Sequence, residues 1–334
     1  MRIVESIVSL ITFLSLRERV IFPNALFSAS NAVKQNASRM NRITPRSLLQ
    51  RRLVKPHRQG DALIHQPIGS GGMSEFMPFL LLDDVETRGR TAGFGDHPHS
   101  GQETMTYMLE GQLVHQDSKG NHGVLNAGDL QAMRAGRGIQ HNETPVEDSA
   151  TNRNLGIQLW VALPHANLND EPGYQDILSK NMPVALPSPG VNVRVITGES
   201  FDKKAPMITR APVWYFDVSL DQGGKVLHPI PKHFNVFAHI LQGKPQVAGQ
   251  EGQPHETFFF KRDGEAVELE NTREAPARLL LIAGDPLEGQ EVHRMGPFVS
   301  TSSLGIQKTI FDYRSGKNGF KYAHDWESEP VHVS

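Results

Sequence analysis

The stretch GFGDHPHSGQETMTYMLEG, residues 93–111, decides the fold and places the candidate chemistry. Two histidines, His97 and His99, flank a single proline, and Glu103 follows four residues after the second of them. Residues i and i+2 of an extended strand point to the same face, so the two imidazoles should project side by side. Pro98 donates no hydrogen bond, which favours a strand end or edge. The apolar-rich run that follows predicts a strand closed by a Glu-Gly turn.

The composition is that of an ordinary globular protein rich in turns. The chain has 334 residues, 38% hydrophobic and 21% charged, enough for one large domain or two of usual size. A net charge of −2 gives no overall field that would attract nucleic acid or an anionic membrane. Thirty glycines and 22 prolines favour a β-rich fold. The absence of cysteine excludes disulfides, zinc fingers and iron–sulfur clusters, so any metal must be held by nitrogen and oxygen.

The second half of the chain repeats the outline of the first half. Residues 97–111 can be laid over residues 229–243, and GIQLWVALP at 156–164 resembles RLLLIAGDP at 278–286. This ordered similarity predicts duplication of one β-domain, although chance similarity is the alternative. The LPSPG segment at 186–190 is the candidate linker between the two halves.

These observations predict three regions along the chain. Residues 1–55 form an N-terminal extension that we expect to be disordered, because a long part of it is basic and free of acids. Residues 56–185 form a metal-binding domain, and residues 190–334 form a second domain with a C-terminal tail. The apolar run at 7–16 is too short to span a bilayer. We expect a cytoplasmic protein, with an export or organelle-targeting segment as the weaker alternative and Met40 as an alternative start.

A second pair of candidate ligands follows a glycine-rich turn. His141 and Glu143 again have i, i+2 spacing, so two such pairs on adjacent strands would bring together three imidazoles and one carboxylate. Without sulfur this set suits Fe(II), Mn, Ni, Cu or Zn. The alternative is that these are ordinary surface or core histidines, since the chain has 15. The second half has Pro229 and Pro231 where the first half has its two histidines, so it should lack the site.

The residues of these motifs resemble those of a known family. An H-x-H-x-x-x-E pattern, a following G-D and a later His resemble the two cupin motifs. DHPHSGQET at 96–104, NAGDLQAMRAGRGIQHNE at 126–143 and GPFVSTSSLGIQKTIFDYRSGKNGF at 296–320 resemble segments of the pirin family. The resemblance extends over residues 60–328 and leaves the N-terminal segment outside it.

The resemblance implies an all-β fold of two cupin (jelly-roll) β-barrel domains packed face to face, with few short helices near the C-terminus. It further implies Fe(II) in the N-terminal barrel alone, with Mn, Ni, Cu or Zn as other candidates. The pirin ligands correspond to His97, His99, His141 and Glu143. Glu103 would then lie near the metal without binding it.

Several pirins resemble quercetin 2,3-dioxygenases, which implies ring cleavage of a flavonol with O2 at a mononuclear Fe(II) site. In such a reaction Glu143 or Glu103 could accept the proton of the flavonol hydroxyl. The candidate walls of the cavity are apolar residues of the strands, namely Phe94, Met105, Tyr107, Met133 and Ile139.

The resemblance also implies a second class of function. Other pirins resemble iron-binding, redox-sensing regulators of transcription or of metabolic enzymes, in which the metal does not turn over a substrate. The expected partners are a small aromatic substrate and O2 in the first case and a protein in the second. We expect no direct contact with nucleic acid, no membrane association and a monomer.

Overall fold

The computed structural model describes residues 43–70, 72–88, 93–146 and 153–331. The apolar run at 7–16 and Met40 lie outside these ranges, so the predictions for them stay predictions. Within these ranges, no helix is long and apolar enough to cross a membrane.

The described residues are mainly β-strands. In chain order the strands are β1 (Leu48–Leu53), β2 (His57–Gln59), β3 (Ala62–Ile68), β4 (Phe79–Arg88), β5 (Phe94–His99), β6 (Gln102–Glu110), β7 (Gln112–Asp117), β8 (His122–Asn126), β9 (Leu130–Arg134), β10 (Ile139–Val146), β11 (Arg153–Ala162), β12 (Gly173–Ile177), β13 (Val184–Ala185), β14 (Val191–Thr197), β15 (Glu199–Ser200), β16 (Lys203–Lys204), β17 (Val213–Leu220), β18 (Lys225–Pro229), β19 (Asn235–Gln242), β20 (Gln246–Val247), β21 (Gln250–Glu251), β22 (Glu256–Phe260), β23 (Ala266–Glu270), β24 (Ala277–Gly284), β25 (His293–Met295) and β26 (Phe298–Ser300). Helix α1 (Ser303–Arg314) and short 3-10 turns at His165–Asn167, Ser179–Asn181 and Asn318–Phe320 complete the fold.

The two halves form two barrels with the same strand order. The front barrel has a seven-stranded sheet, β12-β9-β6-β11-β4-β3-β2, and a four-stranded sheet, β5-β10-β7-β8. The rear barrel repeats this arrangement as β1-β22-β19-β24-β17-β14-β13 and β18-β23-β20-β21. Strands β2 to β11 therefore have counterparts in the same chain order in the rear barrel, as duplication of one unit predicts. The edge position of β12 is filled in the rear barrel by β1, which comes from the N-terminal end of the chain. The predicted all-β fold with two barrels and a short helix near the C-terminus is confirmed.

The two seven-stranded sheets pack face to face through an apolar layer. Met105 and Tyr107 of β6 contribute to it from the front barrel, and Phe237, Phe259 and Leu280 contribute from the rear barrel. All five are fully buried. Burial of each side chain contributes about 1.5–3 kcal/mol, so this layer is a main source of contact between the barrels. Met105 and Tyr107 therefore face the rear barrel, and their prediction as walls of the front cavity is wrong.

A polar network crosses the same layer. The Tyr107 hydroxyl donates to Asp217 over 2.7 Å, and the Arg278 guanidinium donates to both oxygens of that carboxylate over 2.9 and 2.6 Å. The arginine lies on the rear barrel beside its aspartate, so the buried carboxylate is compensated by charge and by hydrogen bonds. The tyrosine thus ties the front barrel to a rear-barrel ion pair.

Part of the predicted N-terminal extension, residues 1–55, belongs to the rear barrel. Strand β1 pairs antiparallel with β22 at the edge of the rear seven-stranded sheet. The buried Arg46 guanidinium donates to the backbone carbonyls of Phe234 and Gly264 over 2.7 and 3.2 Å. Residues 48–53 of the predicted disordered extension, 1–55, are therefore a strand of the rear barrel, which corrects that part of the prediction. The proposed domain boundaries otherwise stay a prediction.

The C-terminal segment packs on the glycine-rich turn that leads to β10. Phe298, Ile306 and Phe320 form a small buried cluster around α1. Gly138 has φ +131°, and a Cβ atom there would lie 2.4 Å from the Phe320 ring. Only glycine combines this backbone conformation with so close an approach. The turn before His141 is therefore fixed from outside by the C-terminal segment.

Candidate metal centre

Three histidines converge inside the front barrel. Strand β5 carries His97 and His99, and β10 lies antiparallel beside it with His141 directly opposite His97. Each of the three imidazoles has a nitrogen within 4.8 Å of the other two. The Nε2 atoms of His97 and His141 are 3.0 Å apart. A bond from nitrogen to a metal ion is about 2.1 Å long, so two nitrogen ligands at right angles lie about 3 Å apart. The spacing of the two Nε2 atoms therefore fits a shared ion.

Burial keeps two of these imidazoles, those of His99 and His141, neutral. His99 and His141 are each 1% exposed. Burial, and then the neighbouring His97, lower the pKa of both side chains well below the usual value for histidine. Neutral imidazole is the form that binds a metal, so no proton has to be displaced from these two residues at neutral pH.

Hydrogen bonds orient two of the rings. His97 Nδ1 donates to the Gly95 carbonyl over 2.7 Å, which leaves Nε2 with its lone pair. His99 Nδ1 lies 2.6 Å from the Gln102 side-chain amide, whose oxygen is buried with no partner among the described residues. The oxygen and nitrogen of an amide exchange on a half-turn, which would let the Gln102 oxygen accept from His99 Nδ1. His99 would then also present Nε2 to the centre.

An aromatic side chain that the sequence analysis missed packs against the histidines. The rings of His99 and Trp160 meet edge to face with centroids 4.9 Å apart. On the Trp160 ring lies the Arg294 guanidinium, 4.9 Å from the centroid. Trp160 lies on β11, where it shares an interior face with Gln158. The alternation in the segment IQLWV, residues 157–161, was the signal that could have identified both residues.

Glu143 lies in the same interior but outside the group of three nitrogens. Its carboxylate accepts a hydrogen bond from the Thr106 hydroxyl over 2.7 Å and from the Gln158 amide over 3.0 Å. The side chain is buried. The structure therefore places Glu143 two residues after His141 on β10 and holds its carboxylate against β6 and β11.

A small cavity adjoins this carboxylate. Its volume is about 40 Å³, and its lining includes Phe94, Met108 and Leu113 beside Glu143. That is room for a few water molecules at most. Of the predicted walls, Phe94 contributes to this cavity. Met133 and Ile139 pack instead in a separate buried cluster of the front barrel.

Glu103 points away from the centre. Its neighbour Gln102 reaches His99, and adjacent residues of a strand point to opposite faces. The Glu103 carboxylate accepts from the Arg210 backbone N–H over 3.2 Å, and burial raises the pKa of this carboxyl to about 7. The structure does not bring Glu103 to the histidines, so it does not support the predicted role of this residue in proton transfer.

Comparisons with known proteins agree with this architecture. The family model Pirin matches residues 62–161, and the model Pirin C-terminal cupin domain matches residues 215–319. Human pirin is 40% identical over 273 residues, which are 80% of this chain and 92% of the human protein. Rat pirin is 41% identical over 273 residues, with 80% and 91% covered. A pirin-like protein of Solanum lycopersicum is 36% identical over 288 residues, with 85% and 97% covered.

A solved structure extends the likeness to three dimensions. The crystal structure of a quercetin 2,3-dioxygenase from Acinetobacter baumannii superposes with a TM-score of 0.75 at 30% identity, over 83% of this chain and 99% of the other. With two matching family models and curated relatives that align over most of their length, the chain belongs to the pirin family.

Proposed function

We propose that the chain is a metal-dependent dioxygenase that cleaves the ring of a flavonol such as quercetin with O2. The observation that carries the proposal is the convergence of His97, His99 and His141 on one point of the front barrel. The likeness to a protein named quercetin 2,3-dioxygenase supports the choice of reaction and substrate class.

The proposed ion is Fe(II), held by the three imidazoles, with Glu143 as the fourth ligand. Glu143 follows His141 by two residues on β10, so both side chains belong to the barrel interior. Imidazoles with one carboxylate form a donor set typical of oxygen-activating iron sites. In the described structure the Glu143 carboxylate is held by Thr106 and Gln158, so it would turn toward the ion when the ion binds.

A bound Fe(II) would supply Lewis acidity, which lowers the pKa of a coordinating hydroxyl, and redox chemistry with O2. The chain's own residues would bind the substrate and receive its proton. The Glu143 carboxylate, once it has turned from Thr106 and Gln158 toward the ion, would accept the proton of the flavonol hydroxyl. Phe94 and Met108 line the small cavity beside Glu143, which would have to widen to admit the aromatic rings of the substrate.

Oxygen uptake by the Fe(II)-loaded protein with quercetin tests this proposal. We expect uptake that depends on quercetin and is lost in His141→Ala, because the ion is no longer held. Glu143→Gln should reduce uptake about 100-fold or more if the carboxylate is the base. The matched control is His233→Ala, a rear-barrel histidine whose side chain is 63% exposed. No uptake by fully iron-loaded protein would contradict the proposal.

The size of the cavity favours a second candidate function. About 40 Å³ beside Glu143 is far below the roughly 300–1,000 Å³ of typical ligand pockets. An iron-binding, redox-sensing regulator would need no substrate cavity. Iron bound at full occupancy without flavonol-dependent uptake, together with a protein partner that distinguishes Fe(II) from Fe(III), would support the regulator over the enzyme.

A further inference from the structure

A second group of metal-ligand side chains lies at the junction of the two barrels. His65 on β3 and Asp84 on β4 stand directly opposite each other in the front barrel. His255 reaches them from the turn that precedes β22 of the rear barrel, with its Nδ1 atom 2.6 Å from Asp84 Oδ2. One donor atom from each of the three residues lies within 4.8 Å of the other two.

The carboxylate of this group is held in place by outer hydrogen bonds. Asp84 is 5% exposed, and its Oδ2 atom also lies 3.2 Å from His239 Nε2. His239 is fully buried, and its other ring nitrogen lies 2.8 Å from the Thr257 hydroxyl. Such partners orient the ligands of metal sites, and their loss typically weakens binding about 10–100-fold. The junction group therefore has the outer support that metal sites need.

The backbone of His255 also points to a constrained position. Its φ is +66°, in the left-handed region that residues other than glycine seldom adopt. Holding a residue there strains the backbone, and such strain is common where a side chain must be aimed. The His255 side chain remains 40% exposed, and His65 is partly exposed, so an ion from solvent can reach both imidazoles.

The two accessible imidazoles are stacked in the described structure. The centroids of His65 and His255 lie 3.9 Å apart, with 6° between the ring planes. A metal ion lies close to the plane of each imidazole that binds it, so one of the rings has to turn about its Cβ–Cγ bond. His255 is the constrained member, and we therefore expect His65 to turn.

We propose that His65, Asp84 and His255 bind a divalent first-row transition ion, such as Zn²⁺, across the junction of the two barrels. Two imidazoles and one carboxylate select Zn²⁺, Ni²⁺ or Cu²⁺ over Mg²⁺ and Ca²⁺, which prefer oxygen ligands alone. Water would complete the coordination on the exposed side. Because the ligands come from both barrels, a bound ion also stabilises their association.

The test uses full-length, tag-free protein in which the candidate metal centre has been removed. The His97→Ala/His99→Ala variant is titrated with Zn²⁺ by calorimetry, and we expect about one ion per chain. Adding His65→Ala or His255→Ala should weaken this binding about tenfold or more. Adding His233→Ala, an exposed rear-barrel histidine outside the group, should leave it unchanged. Mg²⁺ should give no binding.

A melting experiment in parallel separates binding from any effect of the substitutions on folding. Zn²⁺ should raise the melting temperature of the His97→Ala/His99→Ala variant, and at the same Zn²⁺ concentration it should raise that of the variant that also carries His65→Ala much less. His65 is partly exposed, so its removal should leave the fold intact. The proposal is overturned if the double variant binds no Zn²⁺, or if its binding persists unchanged in both the His65→Ala and the His255→Ala backgrounds.

Discussion

The two barrels share one strand order and use their interiors differently. Between the sheets of the rear barrel lies a continuous apolar core, to which Phe216, Val236, Phe258 and Leu281 contribute. The interior of the front barrel has polar side chains on several strands, among them the three histidines and Glu143. The same arrangement of strands therefore encloses an apolar, stabilising core in the rear barrel and polar side chains that are available for chemistry in the front barrel.

The buried histidines of the two barrels show this difference most clearly. In the rear barrel, His228 lies 2.9 Å from the Ser200 hydroxyl through Nε2 and 3.0 Å from the Pro229 carbonyl through Nδ1. Both ring nitrogens thus have partners, and burial lowers the pKa of this residue to about 4. His97 and His141 instead direct Nε2 atoms at each other. A buried histidine whose two nitrogens are both bonded to ordinary neighbours is structural, whereas nitrogens of three imidazoles that converge on one point fit a metal ion.

The largest effect is expected from His99→Ala in the front barrel. Loss of one of three imidazoles should reduce the metal content of the loaded protein about tenfold or more, because the ion becomes under-coordinated. Elemental analysis after gel filtration measures this directly. Full occupancy in the variant would refute the assignment of His99.

Phe216→Ala in the rear barrel should lower stability and leave metal content unchanged. It deletes a fully buried ring from the apolar core and should lower the free energy of unfolding by about 3–5 kcal/mol. Denaturant unfolding measures the loss, and metal content of the folded fraction should be unchanged. A drop in metal content equal to that of His99→Ala would show that the barrels are not functionally separate.

Glu103→Gln tests the outer face of the front barrel. Burial raises the pKa of the Glu103 carboxyl from 4.5 to about 7. Between these pH values folding is therefore coupled to uptake of a proton. The free energy of unfolding of the wild type consequently falls as the pH rises from 4.5 to about 7. Glutamine removes this cost, so the variant should gain up to about 3 kcal/mol above neutral pH and nothing below pH 4.5. Thermal melting across this range measures the gain. A simultaneous loss of bound metal would contradict the placement of Glu103 away from the metal centre.

Tyr107→Phe should have the smallest effect. It removes the hydroxyl that donates to Asp217 across the barrel junction, while Arg278 keeps the carboxylate paired. We expect a loss of about 1.5 kcal/mol in unfolding free energy, typical of one hydrogen bond to a charged group. Unfolding by denaturant, compared with wild type at the same pH, gives the value. A change in metal content would be unexpected, since the hydroxyl faces away from the centre.

Sequence spacing predicted the common face of the three histidines correctly, but it did not predict which of the residues after His99 face the barrel interior. His97, His99 and His141 were predicted because i, i+2 spacing fixes a common face within each strand. The chain then turns at Gly101, which has φ +71°, and this interruption shifts the alternation by one residue. Gln102 therefore faces inward and Glu103 outward. Counting along the sequence could not reveal that shift, because it depends on a glycine dihedral angle.

Long-range pairing accounts for the strand that the sequence analysis missed. Residues 48–53 carry a basic, weakly apolar sequence that resembles a disordered tail. They become ordered through β22, and Arg46 docks on carbonyls nearly two hundred residues away. Tertiary context of this kind overrides local propensity. The junction group at Asp84 escaped the sequence analysis for the same reason, since its ligands come from both halves of the chain.

Anomalous diffraction from crystals of the iron-loaded protein tests most directly whether the front barrel alone has a metal-binding interior. A single interior peak about 2.1 Å from ring nitrogens of His97, His99 and His141, with none inside the rear barrel, is the predicted result. An ion beside His228 of the rear barrel, or no ion at the three histidines of fully loaded protein, would contradict it.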